Sequence, residues 1–504
     1  MKYIKKFDSV SDMNTTLASS TISVLGMAYN NGTPVINNKV VEPVPPTPST
    51  STPFYVENIS NSEETLLIKS YDWSEMDNYL EIPIEYSTDG TSWSTWGTTG
   101  ETPLEMTLQP NDKVYLRANT DTWYETQDEP YVEHGCNITG VSKIGGNIMS
   151  LLYGSDFTGD ERTFPIGTNY NFGYLFCGDD GYVNTVLVSA SELLLPATTL
   201  ADNCYNDMFE SCTSLTSAPA ALPATTLAES CYNDMFKGCT SLTTAPALPA
   251  TTLAPSCYSS MFRGCTSLAT APTLPATTLA DNCYSSMFYG CTSLATAPTL
   301  PATTLAPSCY SSMFYGCTSL ATAPTLPATT LAPSCYKEMF NGCTSLTTAP
   351  TLPATTLVSS CYYSMFKGCT SLATAPTLPA TTLADNCYSY MFSGCTSLTT
   401  APALPATTLV SSCYSSMFRG CTSLATAPTL PATTLASSCY SSMLRGCINL
   451  NYIKCMATNI SASGCISNWT NGVAATGTFV KNSSMSSWIT GVNGIPSGWT
   501  IQNA

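Results

Sequence analysis

The stretch Leu274–Thr299 reads LPATTLADNCYSSMFYGCTSLATAPT and recurs with small changes through about half of the 504-residue chain. Its first six residues, Leu-Pro-Ala-Thr-Thr-Leu, occur ten times, from Leu195 to Leu430, spaced 27 residues once and 26 thereafter. A fixed period of this length is typical of solenoids, in which one unit cannot bury its own apolar residues and stacks on its neighbours. We therefore expect one continuous solenoid over residues 195–455.

Within the unit, Cys283, Met287 and Cys291 follow each other at four-residue intervals, and Tyr284 and Phe288 lie beside them. This spacing places the five side chains on one face of a helix of about two turns. The sequence therefore predicts one short α-helix per repeat.

The residues around this segment suit the ends of a helix and short strands. Asp281 fits an N-cap, and Gly290 fits a left-handed C-terminal cap. Thr292–Ala297 and Leu300–Leu305 are predicted as short strands bounded by prolines, because proline cannot donate a ladder hydrogen bond. Parallel stacking at ~4.8 Å per repeat gives a ten-repeat solenoid about 50 Å long.

The repeat MFxGCTSLxxAPxLPATTLA resembles the BspA-type leucine-rich repeats of surface proteins from gut Bacteroidales and from the phages that infect them. The resemblance extends from about Gly145 to the C-terminus, with a lead-in at Gly146–Gly154 and terminal pieces at Gly477–Val480 and Gly494–Trp499. It implies an α/β leucine-rich-repeat solenoid, with parallel β-structure and one short helix per repeat, closed by a terminal cap. Lys5–Ile36 is similar to short N-terminal modules of virion proteins in phages of these bacteria.

The chain before the repeats predicts further modules. Ser9–Ala18 is predicted as a helix, followed by strands at Ile22–Tyr29 and near Val35–Ile36. The Pro/Ser/Thr-rich stretch Pro43–Pro53 is predicted as an extended spacer. The alternating polarity after this spacer predicts a small β-sandwich. Its predicted strands are Tyr55–Ile59, Leu66–Lys69, Leu80–Tyr86 and Lys113–Ala118.

The overall prediction is a multidomain protein with a small α+β N-terminal anchor, a β-sandwich and an α/β solenoid. The predicted boundaries are 1–42 for the anchor, 43–53 for the linker, 54–135 for the sandwich, 136–194 for the N-terminal cap of the solenoid, 195–455 for the solenoid and 456–504 for its C-terminal cap. Ser87–Trp93 is close to the Asp-box turn of sialidase-type propellers, but it is one residue short and occurs once. We interpret it as a hairpin.

Composition excludes several functions. The net charge is −17, and residues 1–194 alone carry 26 acidic and 9 basic side chains, so nucleic acid is not expected as a partner. His134 is the only histidine, which argues against multi-histidine metal or catalytic centres. No segment approaches the ~18 apolar residues of a membrane span, and Met1–Ala28 has no signal-peptide core. We expect synthesis in a cytoplasm and no membrane insertion.

Twenty of the 24 cysteines fall in two columns eight residues apart, as at Cys283 and Cys291. On a helix, eight residues rise about 12 Å, too far for a bridge within one repeat. The preferred interpretation is buried free thiols acting as small apolar side chains. Disulfides between neighbouring repeats and metal or redox roles remain as alternatives. Cys136, Cys177, Cys455 and Cys465 are assigned to the caps as off-register residues.

Variation between copies marks a candidate binding stripe on an otherwise uniform frame. Every copy after the first has a glycine equivalent to Gly290, the repeat glycine, and every copy has a tyrosine equivalent to Tyr284, the column tyrosine. The residue before the repeat glycine and the two residues after the column tyrosine change most between copies. They include residue types that favour recognition surfaces. The candidates are Lys237, Arg263, Tyr289, Tyr315, Asn341, Lys367, Arg419, Arg445, Tyr363 and Tyr390, with Ser393, Lys337 and Glu338 at equivalent variable positions. The alternative is a solvated face that drifts freely.

A second, weaker candidate is a calcium site at Asp156, Asp160, Asp179 and Asp180, although no complete calcium-binding motif is present. No metal or cofactor is otherwise expected, and no catalytic residues are assigned.

The resemblance implies a non-enzymatic virion protein, a fibre or spike. Its N-terminal module would contact other virion proteins, and its solenoid would attach to a host surface protein or polysaccharide. A homo-oligomer is expected, since several copies would add avidity. The alternatives are a bacterial cell-surface adhesin and a glycan-active enzyme, the latter disfavoured because no carboxylate pair is evident in the repeats.

Overall fold

A computed structural model describes residues 27–30, 33–36, 49–72, 79–118, 124–126, 133–164, 171–178 and 183–504. Residues 1–49 and 50–504 form two separate units. In the first unit, β1 (Met27–Asn30) pairs with β2 (Thr33–Ile36) in antiparallel fashion. The predicted helix Ser9–Ala18 lies outside the described residues.

The second unit begins with two β-sheets. Their strands are β3 (Tyr55–Glu57), β4 (Glu64–Asp72), β5 (Pro83–Ser87), β6 (Ser94–Thr98), β7 (Leu104–Leu108), β8 (Lys113–Ala118), β9 (Tyr124–Thr126), β10 (Glu133–Thr139), β11 (Lys143–Asn147) and β12 (Ser189–Leu194). One sheet has the order β7-β4-β10-β9, and the other has the order β12-β11-β3-β8-β5-β6. Inward residues such as Val56, Ile68 and Leu116 are buried, as the alternation of polarity requires.

The segment that resembles an Asp-box is the turn of the β5–β6 hairpin. The Asp89 carboxylate accepts the backbone N–H groups of Thr91 and Ser92, each at 2.7 Å. These hydrogen bonds hold the pKa of Asp89 well below its usual range. Asp89 therefore closes a tight turn, as the hairpin interpretation requires.

The sandwich continues into the solenoid through one sheet and one core. The predicted boundary between residues 135 and 136 falls inside β10, and β11 pairs in parallel with β12. Between β11 and β12 lie α1 (Ser150–Tyr153) and a 3-10 turn at Gly154–Asp156. The ring of Phe54 lies 5.9 Å from that of Phe176, which stacks 5.2 Å from Phe209 of the first repeat.

The prediction of one α-helix per repeat is wrong. Asn282 and Ser286 have φ of 53° and 55°, and Gly290 has φ of 72°, whereas every residue of an α-helix has φ near −60°. The segment is a series of overlapping four-residue turns, which we call the turn spiral. Asp281 is therefore not a helix N-cap. Gly290 does have the predicted positive φ, but it is the third residue of a series that begins with Asn282 and Ser286.

Hydrogen bonds explain the stability of this turn spiral. Alternate N–H groups close local turns, as when Met287 donates to the Tyr284 carbonyl at 3.3 Å. The intervening N–H groups donate to the next repeat, as when Tyr284 donates to the Cys309 carbonyl at 3.1 Å and Phe288 to that of Met313 at 2.9 Å. Half of the backbone donors thus join the repeats to each other.

The four-residue period is the physical reason for this departure from a helix. At 3.6 residues per turn, side chains four apart drift by about 40° at each step, whereas a turn spiral returns them to the same side. The positions with positive φ hold mostly Asn, Ser and Gly, and Asn and Gly tolerate the left-handed region best. The spacing of the apolar residues alone therefore does not distinguish an α-helix from a turn spiral.

The predicted strands of the repeat shrink to single-residue parallel bridges. Thr296 bridges Thr270 and Thr322 in the neighbouring repeats, and Thr278 bridges Thr304. Pro298 and Pro301 flank Thr299 and Leu300 and supply no N–H group, so the ladder cannot extend. The parallel direction agrees with the prediction, and the strand lengths do not.

The core of the solenoid consists of side-chain columns. Column tyrosines from Tyr205 to Tyr440 stack with ring centroids 5.6–6.1 Å apart. Phenylalanines from Phe209 to Phe418 stack 5.2–5.8 Å apart. All 24 cysteines are free and buried, in agreement with the preferred interpretation of the thiols.

The turn spiral continues once beyond the tenth repeat. Gly464, Asn468 and Gly472 have positive φ at the same four-residue interval, and the Tyr440 N–H donates to the Cys465 carbonyl at 2.9 Å. Cys465 therefore lies 26 residues after Cys439 and in register, contrary to its assignment as an off-register residue.

The C-terminal end is a three-stranded parallel sheet of β13 (Tyr452–Cys455), β14 (Thr478–Lys481) and β15 (Thr500–Asn503). Trp469 is fully buried, stacks 6.3 Å from Tyr440 and donates from Nε1 to the Gly494 carbonyl at 2.9 Å. It thereby covers the end of the tyrosine column.

Candidate functional site

The candidate stripe lies on the outer side of the turn spiral. We call this region the turn surface; in each repeat it comprises the two residues after the column tyrosine and the residue before the repeat glycine. In the fourth repeat these are Ser285, Ser286 and Tyr289. Ser285 and Ser286 lie between the buried pairs Cys283–Tyr284 and Met287–Phe288, and Tyr289 directly follows the second pair, so the core fixes their backbone.

Three predicted residues from consecutive repeats form one stack. The rings of Tyr289 and Tyr315 are 4.5 Å apart and tilted by only 4°, and the Arg263 guanidinium lies 4.8 Å from the Tyr289 ring centroid. Arg263 precedes Tyr289 and Tyr315 follows it, so its two ring faces are covered. Arg263 is exposed, and Tyr289 and Tyr315 are half-buried. Burial, followed by the influence of Tyr289, raises the pKa of Tyr315.

A second cluster lies further along the same surface. The Lys337 ammonium is 5.7 Å from the ring centroid of Tyr363, and that of Lys367 is 5.8 Å from Tyr390. The two tyrosine rings are 5.8 Å apart and tilted by 57°. Distances of this size correspond to cation–π contacts, so the cations are partly held in place by the rings. Burial, then the neighbouring Tyr390, raises the pKa of Tyr363.

The other predicted residues behave differently. Asn341 is only 6% exposed, and Ser393 is also buried. Lys237 is half-buried and pairs with Glu210 at 2.7 Å. Arg419 and Arg445 are exposed and lie one repeat apart. The structure thus brings together two groups of predicted residues, whereas Lys237 is engaged by Glu210 and Asn341 is buried.

Sequence reasoning missed a carboxylate cluster in the first two repeats. Asp207 and Asp234 occupy turn-surface positions, and Lys237 approaches both Glu210 and Asp234, at 2.7 and 3.8 Å. Burial first, and then Glu210 and Asp234, raise the pKa of Asp207 to about 8. The signal was present, since only these two repeats read Tyr-Asn-Asp-Met-Phe where later ones mostly have serines.

Asn206 and Asn233 complete this cluster. The Asn206 amide donates to Asp207 at 2.8 Å, and the Asn233 amide donates to Asp234 and to the Asn206 side chain, each at 2.9 Å. The polar atoms of adjacent repeats are thus hydrogen-bonded to one another.

The metal candidate gains no structural support. Within the part of the chain that the structure describes, no group of three or more His, Cys, Asp or Glu side chains is placed to hold a metal ion. Asp156 and Asp160 are exposed, whereas Asp179 and Asp180 lie outside the described residues. Among the described helices, none is both long and apolar enough to cross a membrane.

Stacked 26-residue units, buried leucines and parallel bridges define a solenoid of the leucine-rich-repeat class. The family model for the BspA type leucine rich repeat region matches residues 202–347 and 334–468 in six copies, which is just over half of the chain. The protein belongs to the BspA-type leucine-rich-repeat family. Its members are typically non-catalytic repeat proteins, and the repeats suggest a surface or adhesion-type protein. Comparison with curated proteins and with solved structures gave no match.

Proposed function

We propose that the protein is a non-enzymatic attachment protein that holds a host surface protein or polysaccharide through its turn surface. The observation that carries this proposal is the concentration of recognition side chains on one surface. Between Leu248 and Asn451, all five cationic side chains and all four tyrosines outside the buried column occupy turn-surface positions. Tyr and Arg are the residue types that most often dominate binding energy at interfaces.

Repetition adds avidity to this arrangement. Each cluster offers a small contact, and the two clusters are fixed on one continuous solenoid, so a long ligand that binds one meets the other at high effective concentration. The expected homo-oligomer would multiply the effect again.

A binding assay on host cells tests the attachment function. The full-length protein with Tyr289, Tyr315, Tyr363 and Tyr390 all replaced by Ser, a residue found at the same positions in other repeats, is expected to bind at least tenfold more weakly. The control variant, Asp281→Ser/Asp385→Ser, changes exposed residues outside the turn surface and is expected to bind as the unaltered protein does. Equal binding by both variants would contradict the proposal.

The particle that carries the protein is the second part of the proposal. A virion fibre or spike, anchored to other virion proteins through residues 1–42, is supported by the similarity of Lys5–Ile36 to virion modules. A bacterial cell-surface adhesin agrees equally with the repeats. Mass spectrometry of purified phage particles is expected to detect the protein. Its recovery only in bacterial membrane fractions would establish the adhesin instead.

A further inference from the structure

The turn surface has a charge opposite to that of the whole chain. The chain carries a net −17, yet from Arg263 to Arg445 the turn surface carries five cations and one carboxylate, that of Glu338. Glu338 accepts a hydrogen bond from the Ser312 hydroxyl at 3.3 Å, which occupies part of its acceptor capacity. A locally cationic surface attracts negatively charged ligands.

The ring geometry indicates which atoms meet that ligand. Because Arg263 and Tyr315 cover the two faces of Tyr289, a sugar ring cannot stack on it from outside. What remains accessible is the ring edge, which carries partial positive charge, and the phenol O–H donor. Edges, hydroxyls and cations all favour an acceptor-rich ligand over a flat apolar one.

The spacing of the cations limits the charge density of the ligand. Arg263 and Arg445 are seven repeats apart, or about 34 Å at ~4.8 Å per repeat, so one cation falls every ~8 Å. Duplex DNA presents a phosphate every ~1.7 Å, far more densely than this surface can neutralise. A chain with about one anionic group per sugar fits better.

The charges of the first two repeats also define where the cationic part of the turn surface begins. Asp207, Glu210 and Asp234 place three carboxylates on the first two repeats, and Lys237 is already paired with Glu210 at 2.7 Å. The one cation of that region is thus already engaged, and a polyanion would meet unpaired cations only from Arg263 onward. We propose that the turn surface from Arg263 to Arg445 binds a linear anionic polysaccharide along the solenoid axis, an inference that rests on the attachment function proposed above.

Calorimetry with the full-length protein tests this proposal against four probes: sodium polygalacturonate, dextran sulfate, uncharged dextran and duplex DNA. We expect polygalacturonate to bind in 20 mM NaCl and to bind at least tenfold more weakly in 300 mM NaCl. Dextran sulfate shows whether sulfate replaces carboxylate, and binding of either anionic polymer supports the proposal. Equal binding of uncharged dextran, or tighter binding of duplex DNA, would overturn it.

Matched variants locate the site. Arg263→Ser/Lys367→Ser/Arg419→Ser is expected to weaken binding at least tenfold and to reduce its salt dependence, whereas Lys454→Ser, which removes a cation outside the turn surface, changes it less than twofold. The serine found at residue 393 shows that the repeat accommodates this change. If host cells are bound but neither anionic polymer is, this ligand assignment is wrong while the attachment function stands; if neither cells nor anionic polymers are bound, both fail.

Discussion

The sandwich and the solenoid are joined in one unit but satisfy their backbone hydrogen bonds differently. In the sandwich, ladders of three to six paired residues join strands distant in sequence, as between β10 and β4. In the solenoid, most bridges span a single residue, and turns supply the rest. Regular strands are therefore not required for order when identical side-chain columns and alternate backbone donors connect every repeat to the next.

The largest effect is expected where the two regions meet. Phe176→Ala removes the ring between Phe54 and Phe209, and large-to-small changes of buried Phe cost about 3–5 kcal/mol. We expect urea unfolding to separate into two transitions, one for the sandwich and one for the solenoid. Phe314→Ala, the same change inside the solenoid, is the control and should lower stability without separating sandwich from solenoid. Identical unfolding profiles for the two variants would show that the junction has no special role.

The turn spiral itself can be tested at Ser286, whose φ is 55°. Because β-branched residues are strained in the left-handed region, Ser286→Val should destabilise by about 1–2 kcal/mol. Ser286→Gly should be neutral or stabilising, whereas Ser285→Gly, at a neighbouring residue without positive φ, should cost about 0.5–1 kcal/mol. Thermal denaturation measures all three. A loss of stability in Ser286→Gly would favour the helix instead.

The carboxylates of the first repeats predict a pH dependence absent from the later ones. The pKa of Asp207 is raised to about 8, so the folded chain retains a proton that the unfolded chain loses near pH 4. Stability should therefore fall as pH rises from about 4 to 8. Asp207→Asn should reduce this decline, of which burial of Asp234, by raising the pKa of that carboxyl, maintains a part. The variant should be more stable at pH 8 by about 1 kcal/mol or more, because each pKa unit corresponds to about 1.4 kcal/mol.

Denaturant titrations at pH 5 and pH 8 measure this difference. Asp281→Asn, a change at an exposed carboxylate, is the control and should leave the pH dependence unchanged. If Asp281→Asn gained as much stability at pH 8 as Asp207→Asn, the effect would be due to the change in net charge alone.

The smallest effect distinguishes the two cysteine columns. Cys317 donates from Sγ to the Phe288 carbonyl at 3.1 Å, and equivalent bonds recur along the second column. In the first column the corresponding distances, where present, are about 4 Å, as from Cys387 to the Cys413 carbonyl. Cys317→Ala should therefore cost about 0.5–1 kcal/mol more than Cys309→Ala, which loses the same volume. Equal losses in denaturant titrations would show that the thiol hydrogen bond contributes nothing.

The periodicity predicted the solenoid, its parallel stacking and its buried side, because each follows from which residues are apolar and how often they recur. It did not predict the turn spiral, since Cys283, Met287 and Cys291 satisfy both a helix and a four-residue turn period. The decisive residues were Asn282 and Ser286, whose positive φ excludes a helix. From the sequence, a positive φ was predicted only for Gly290.

The arrangement of the candidate site could not be predicted from the sequence. Variation between copies identified Arg263, Tyr289 and Tyr315, yet their mutual stacking depends on the spacing and rotation of successive repeats. The burial of Asn341 likewise depends on its neighbours. The Asp207 cluster was missed because variation was compared at one position at a time, whereas its members occupy different positions in adjacent repeats.

The hydrogen bonds between successive turn spirals also determine how the solenoid responds to force. Each repeat contacts only its neighbours, so a pull applied along the axis passes through the interfaces in series, and every interface carries the full load. The extension is shared among them, as in a row of identical springs, and the weakest yields first. A solenoid built in this way is therefore expected to lengthen one interface at a time under tension.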